Sequence, residues 1–175
     1  MWECPNLMDF GERQVLFLSV QSTPTDHLYA VTFTGQKQGN RFQVEKSAIM
    51  VHGGSLYAPQ VMKLVDGRWL LFGWLHEGRS QQAALEAGWS GSMSLPLILD
   101  LLPDGSLSIN PADELKRLRG IAWQQEEIVL SGETEHILPH AGGRALEISA
   151  EFQADAGAEY GLKVLCSPDG EEQTR

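Results

Sequence analysis

The chain has 175 residues, 42% of them hydrophobic and 21% charged, the balance of an ordinary globular protein and not of a disordered one. Its 23 acidic and 13 basic residues give a formal net charge of −10, so binding to nucleic acid or to an anionic membrane would work against the protein's own field. No apolar run reaches the roughly 18 to 20 residues that span a bilayer. We therefore expect neither nucleic acid nor a membrane as a partner.

Cysteine and histidine usage predicts neither a disulfide framework nor a metal site. The two cysteines, Cys4 and Cys166, lie far apart in sequence and do not form the kind of framework that small secreted domains use. Paired metal-ligand spacing is absent among the histidines. These are His27, His52, His76, His136 and His140.

Residues 13–110 have the composition of short strands separated by turns, which predicts an all-β fold. Asp66-Gly67 and Asp104-Gly105 each stand between apolar runs, where glycine can adopt the positive φ of a tight hairpin, so we predict hairpins over 60–75 and 95–109. The run "RWLLFGWL" is apolar at nearly every position, which indicates burial on both faces, as in stacked sheets. The other strand-like segments are "RQVLFLSV", "HLYAVTF", "RFQVEKSAIM", "YAPQVMKLV" and "MSLPLILDLL".

One segment, "NPADELKRLRG", carries helix signals: a proline near the first turn, acids early, bases late and a final glycine. We predict a helix of one to three turns over 111–120 that connects two all-β units, 1–110 and 121–175. In the second unit we expect strands at 121–130, 144–153 and 159–166.

The opening "WECP" places an acid beside an aromatic residue before any predicted element. Pro5 cannot donate to a sheet ladder and marks an edge or a strand end, where a carboxyl such as Glu3 can face a cavity. Aromatic residues also lie near glycines and polar groups at Tyr57, Trp74 and Trp89, the mixture that sugar sites use. Each residue taken alone has a simpler interpretation: a solvated surface acid for Glu3 and core packing for Trp74.

Five motifs, in their order and spacing, resemble glycoside hydrolase family 32, the β-fructofuranosidases that include invertases, levanases and inulinases. The resemblance runs from residue 2 to about 120 and continues more weakly to the end. It implies an all-β fold with the last blades of a five-bladed β-propeller followed by the start of a β-sandwich, and an active-site funnel at the propeller axis. The motifs are "WECPNL", "SLYAPQ", "DGRWLLFGWLHE", "EAGWSGSMSLP" and "PDGSLSINPADELKRLRG".

The resemblance also implies roles for individual residues. Glu3 takes the part of the general acid/base of a retaining mechanism, and its motif neighbour Cys4 is expected to belong to the substrate-binding site. No metal or organic cofactor is required. His52 and Tyr57 are expected to line the substrate site, and Trp74 to stack on the fructosyl unit or its leaving group. Because successive blades bring their inner strands to one axis, Glu3, Tyr57 and Trp74 should face one cavity.

The sequence departs from the family pattern in three respects. A retaining glycosidase needs a nucleophilic carboxylate roughly 5 to 5.5 Å from the acid/base, and the family's Asn-Asp-Pro-Asn and Arg-Asp-Pro motifs are missing here. Val51 stands near the place of a common aspartate, and Leu97 stands where an arginine is common. We therefore expect the chain to be the C-terminal part of a longer enzyme and to be inactive by itself.

Three functions remain open from the sequence: a β-fructofuranosidase acting on sucrose or fructo-oligosaccharide, a fructosyltransferase of the same fold, and a non-catalytic carbohydrate-binding module. The opening residues lack the regions of a signal peptide, which slightly favours the cytoplasm, but the location stays unknown because we expect the true N-terminus to lie upstream. The sequence predicts neither the oligomeric state nor the substrate's length and linkage.

Overall fold

A computed structural model describes residues 1–22, 28–50, 55–143 and 145–167. The chain divides into two compact units, Met1–Lys116 and Arg117–Arg175. Antiparallel strands in two sheets dominate the described part of the first unit, which confirms the all-β class predicted for it.

The first sheet has four antiparallel strands in the order of the sequence, β1-β2-β3-β4. In β2, Val15 and Phe17 are fully buried, at the two-residue spacing of a strand with one face on the core. The opening residues are themselves an edge strand, where we expected no regular element, and this position suits Pro5 because an edge strand can omit a ladder donor. The strands are β1 (Trp2–Asp9), β2 (Gln14–Gln21), β3 (Leu28–Gln38) and β4 (Arg41–Ile49).

The second sheet has the order β5-β6-β8-β9, and the short strand β7 also pairs with β6. All residues of β6 except Trp74 are buried or half-buried, which largely agrees with the predicted burial of both faces. The strands are β5 (Leu56–Lys63), β6 (Trp69–Leu75), β7 (Ser92–Met93), β8 (Leu97–Leu101) and β9 (Leu107–Pro111).

Both predicted Asp-Gly hairpins are confirmed, and they share one turn geometry. Gly67 and Gly105 have φ of 92° and 80°, the region that glycine adopts without steric cost. The aspartate before each glycine accepts a hydrogen bond from the backbone N–H two residues on, at 3.1 Å for Asp66 and 2.9 Å for Asp104. These side chains supply the local hydrogen bonds that make aspartate a turn residue.

One hydrophobic cluster joins the two sheets. Apart from Met50, which follows β4, its members come from β1, β2 and β3 in the first sheet and from β5, β6 and β8 in the second, so the sheets share a core. Full burial of a Phe or Leu side chain stabilises the fold by about 1.5–3 kcal/mol. The largest fully buried hydrophobic side chains of the cluster are Phe17, Met8, Leu71, Leu99 and Val15.

The helical segments differ from the prediction. The expected helix over 111–120 is a tighter and shorter 3₁₀ helix, Asp113–Leu118. An unpredicted helix, α1 (Gln81–Ala87), starts at Ser80, whose hydroxyl caps the Ala83 N–H, and ends at Gly88 with φ of 76°. No helix in the described part of the chain is long and apolar enough to cross a membrane.

The second unit lacks the strands that we predicted at 121–130, 144–153 and 159–166, as far as residues 117–143 and 145–167 show. A strand requires a partner for its backbone groups, and apolar side chains such as Ile121 and Val129 remain exposed in this unit. Local contacts are present, including the stacked rings of Trp123 and His140 at 5.5 Å. The β-sandwich over 121–175 stays a prediction.

Candidate functional site

A carboxylate and a phenol meet between the first strands of the two sheets. The Tyr57 hydroxyl, on β5, donates a hydrogen bond to Glu3 Oε2, on β1, at 2.6 Å. Tyr57 is only 6% exposed, and burial, followed by the hydrogen bond to Glu3, raises the pKa of its hydroxyl. The phenol therefore stays protonated at neutral pH and remains a donor to Glu3.

Trp74 completes a cluster with these two residues, here called the Glu3–Tyr57–Trp74 cluster. It lies opposite Tyr57 in the β5–β6 pair, and the two rings meet edge to face with centroids 6.5 Å apart and planes at 71°. The Trp74 ring also contacts His76 at 5.8 Å. Because Trp74 is 40% exposed, it is not a sealed core residue, and the core-packing interpretation is wrong for it.

Backbone irregularities position both polar members of the cluster. The β1–β2 register shifts between Glu3 and Asn6, and the β5–β6 register shifts between Tyr57 and Gln60. Such bulges change the direction of the side chains beside them. The structure thus brings Glu3 into contact with Tyr57 and Tyr57 into contact with Trp74, and the common cavity expected for the three residues stays a prediction.

The other predicted site residues have different outcomes. Cys4 is a half-buried free thiol next to Glu3, and Cys166 is also free. His52 and the divergent Val51 lie outside the described residues, so the expected role of His52 stays a prediction. Leu97 is half-buried in β8. Within the described ranges, no group of three or more His, Cys, Asp or Glu side chains could hold a metal ion.

A hydrogen-bonded loop adjoins Trp74. Arg79 donates two hydrogen bonds to the Glu77 carboxylate, at 2.9 and 2.7 Å, and its guanidinium lies 3.8 Å from the centre of the Trp89 ring. Glu77 also accepts the Gly91 N–H at 3.1 Å, and these hydrogen bonds hold the pKa of Glu77 well below its usual range. Trp89 stays 57% exposed, so the loop presents a held aromatic ring to solvent.

Gly91 allows this loop to approach Trp74 closely. A Cβ atom at position 91 would lie 2.3 Å from Trp74 Nε1, and Gly91 has φ of +65°. We expect Gly91→Ala to displace the Trp74 ring and to lower the free energy of unfolding by about 1–3 kcal/mol. Urea denaturation followed by tryptophan fluorescence measures the loss.

Gly78 is the matched control, because it lies in the same loop and a Cβ there would meet nothing within 4 Å. Gly78→Ala should change the free energy of unfolding by less than about 0.5 kcal/mol. Equal changes in the free energy of unfolding for the two substitutions would show that Gly91 does not position Trp74.

The sequence analysis predicted neither the Glu77–Arg79–Trp89 arrangement nor the role of the Asn6 side chain. The alternation of an acid and a base in "HEGR" and the glycines around Trp89 are compatible with a held loop. The signal for α1 was also present, as Ser80 followed by alanines and then Gly88. Asn6 carries no such local signal, because its partners Pro59 and Val61 are far away in sequence.

Comparison with known proteins finds similar sequences and structures in one family. Residues 1–111 match the sequence model described as the glycosyl hydrolases family 32 N-terminal domain. Sucrose-6-phosphate hydrolase of Zymomonas mobilis is 27% identical over 179 residues, which cover 98% of this chain and 35% of the relative. Sucrose-6-phosphate hydrolase of Salmonella typhimurium is 33% identical over 144 residues, which cover 75% of this chain and 31% of the relative.

A solved structure agrees with these matches. The family 32 glycoside hydrolase from Bifidobacterium adolescentis superposes with a TM-score of 0.56 and 26% identity, over 66% of this chain and 19% of that one. The chain therefore spans about a third or less of the length of these relatives.

Proposed function

The chain belongs to glycosyl hydrolase family 32, and on that premise we propose that it carries the general acid/base of a retaining glycosidase. The substrates of the whole enzyme are terminal β-D-fructofuranosides, in sucrose or small fructans. The hydrogen bond of 2.6 Å between Tyr57 and Glu3, beside the exposed face of Trp74, is the observation that carries this proposal.

In the first step, Glu3 protonates the glycosidic oxygen as the bond to the anomeric carbon breaks. A second carboxylate, from a part of the enzyme outside this sequence, attacks that carbon and forms a covalent fructosyl-enzyme. The coverage of 35% of the Zymomonas mobilis relative supports a longer protein that supplies this group.

In the second step, Glu3 accepts a proton from water, which hydrolyses the fructosyl-enzyme. The Tyr57 hydroxyl orients the carboxylate for this transfer through its hydrogen bond of 2.6 Å to Glu3 Oε2. Since the pKa of Tyr57 is raised, the phenol does not compete as an acid at neutral pH. Neither step requires a metal or an organic cofactor.

Trp74 binds the sugar. Its ring is 40% exposed and is fixed by Tyr57 on one side and by the approach of Gly91 on the other. An indole held in this way offers a flat apolar face to the C–H surface of the fructosyl unit or its leaving group. Cys4 contributes through its backbone, which forms the bulge beside Glu3.

The finer architecture is part of the same proposal. The two antiparallel sheets of Met1–Lys116 are the last blades of a five-bladed β-propeller, and the second unit is the start of a β-sandwich. Shared core residues support the blade assignment, because adjacent blades bury one face against each other.

A hybrid enzyme tests the proposed function. In the hybrid, this 175-residue chain replaces the aligned third of the Zymomonas mobilis relative, and the products formed from sucrose and from sucrose 6-phosphate are measured. We expect steady release of fructose, because the hybrid again contains both carboxylates.

The products separate the alternatives. Formation of longer fructosyl saccharides with little free fructose would favour a fructosyltransferase. A folded hybrid that binds sucrose without turnover would contradict the enzyme proposal and favour a carbohydrate-binding module.

A further inference from the structure

Two strands of the site share an unusual backbone feature. Cys4 follows Glu3 and Ala58 follows Tyr57, and both have φ of +47°, in the left-handed region. This conformation costs about 1–2 kcal/mol for a residue with a side chain. A proline follows each of them, Pro5 and Pro59, which restricts the backbone of the preceding residue further. Strained conformations of this kind persist only where surrounding contacts enforce them.

The side chain of Asn6 links the two strained segments. Its Nδ2 donates to the carbonyl of Cys4 at 2.9 Å and to the carbonyl of Pro59 at 2.9 Å. Its Oδ1 accepts the N–H of Val61 at 3.3 Å. One planar amide thus contacts the bulge after Glu3, the bulge after Tyr57 and the residue of β5 that follows that second bulge.

The amide group suits this task chemically. It offers two donors and one acceptor in a fixed plane, whereas a carboxylate offers no donor and a hydroxyl offers only one. The partners are main-chain groups of strands β1 and β5, so the bonds fix backbone positions directly.

We infer that Asn6 is a positioning residue, which locks the two bulges together and thereby holds the Glu3 carboxylate against the Tyr57 hydroxyl. The catalytic meaning of this inference rests on the proposed function, but the geometry does not. Asn6 itself does not act on the substrate. It sets the distance between the Glu3 carboxylate and the Tyr57 hydroxyl that donates to it.

The test measures the ionisation of Tyr57 in this chain. Ionised phenols absorb in the near ultraviolet, and subtracting the titration of the Tyr57→Phe variant isolates Tyr57 from the other two tyrosines. Burial and the Glu3 hydrogen bond raise the pKa of Tyr57, so it should ionise well above the ordinary value of about 10. In Asn6→Ala and in Asn6→Leu, which keeps the shape of the side chain, we expect the acid dissociation constant of Tyr57 to rise about tenfold or more.

Gln14→Ala is the matched control. The Gln14 amide also donates twice, to Asp9 Oδ1 at 3.2 Å and to the carbonyl of Gly11 at 3.1 Å, and it accepts the Lys37 N–H at 2.9 Å. It lies in the same sheet and pairs with the opposite end of β1 from Glu3. Its loss should lower stability without changing the ionisation of Tyr57.

The inference is overturned if the Asn6 variants change the acid dissociation constant of Tyr57 no more than Gln14→Ala does. It is also overturned, in favour of a purely structural link, if neither Asn6 variant folds while Gln14→Ala does. Failure of the proposed function would give a different result. The Asn6 variants would still change the ionisation of Tyr57, but Glu3→Gln would leave fructose release by the hybrid unchanged.

Discussion

Glu3→Gln is expected to lower the kcat/KM of the hybrid enzyme for sucrose by about 10²- to 10⁴-fold, the usual contribution of general acid/base catalysis. Glutamine has nearly the shape of glutamate and can still accept the Tyr57 hydrogen bond through its carbonyl oxygen. It cannot donate an acidic proton to the glycosidic oxygen or take one from water. The fall in kcat/KM therefore measures the loss of proton transfer and not a change of fold.

Asp9→Asn is the control for this result, because Asp9 is another acid on β1 but lies at its far end, where it accepts the N–H of Gly11 at 2.8 Å. It should leave kcat/KM within about threefold of the parent, as expected for a surface substitution away from the site. Comparable losses in both variants would indicate a general effect of charge or stability on the hybrid.

The isolated 175-residue chain is expected to release no measurable fructose from sucrose. The two carboxylates of a retaining site act as a unit, so a chain with the acid/base alone lacks the covalent route. Exposed apolar side chains at one end of the first sheet, such as Trp2 at 73%, also favour association of the chain over a closed site. Fructose release is measured for the chain and for its Glu3→Gln variant.

Steady release by the chain that disappears in Glu3→Gln would contradict this expectation. It would mean that the chain assembles a working site from its own residues. The proposal that the nucleophile comes from another part of a longer enzyme would then have to be abandoned.

The sequence predicted well those features that depend on neighbouring residues. The Asp66-Gly67 and Asp104-Gly105 hairpins formed as expected, because a turn is specified by its own few residues. The meeting of Glu3, Tyr57 and Trp74 followed from the order of motifs in a known family. Neither composition nor periodicity alone would have indicated it.

The features that were missed depend on partners distant in sequence. The hydrogen bonds of Asn6 to Pro59 and Val61 cross more than 50 positions, and a lone asparagine gives no sign of them. The strands expected in 121–166 illustrate the opposite error: strand composition was present, but the described residues there form no ladder. The opening strand was missed because "WECP" has a proline and a bulge in place of an alternating pattern.

The most direct test of Glu3 as the acid/base compares two leaving groups. Fluoride departs with little protonation, whereas the glucose oxygen of sucrose needs an acid, and kcat/KM reports the first step in which the leaving group departs. For Glu3→Gln in the hybrid, we expect kcat/KM to fall about 10²- to 10⁴-fold for sucrose but less than about tenfold for β-D-fructofuranosyl fluoride. Equal losses for the two substrates would contradict the assignment of Glu3 as the general acid.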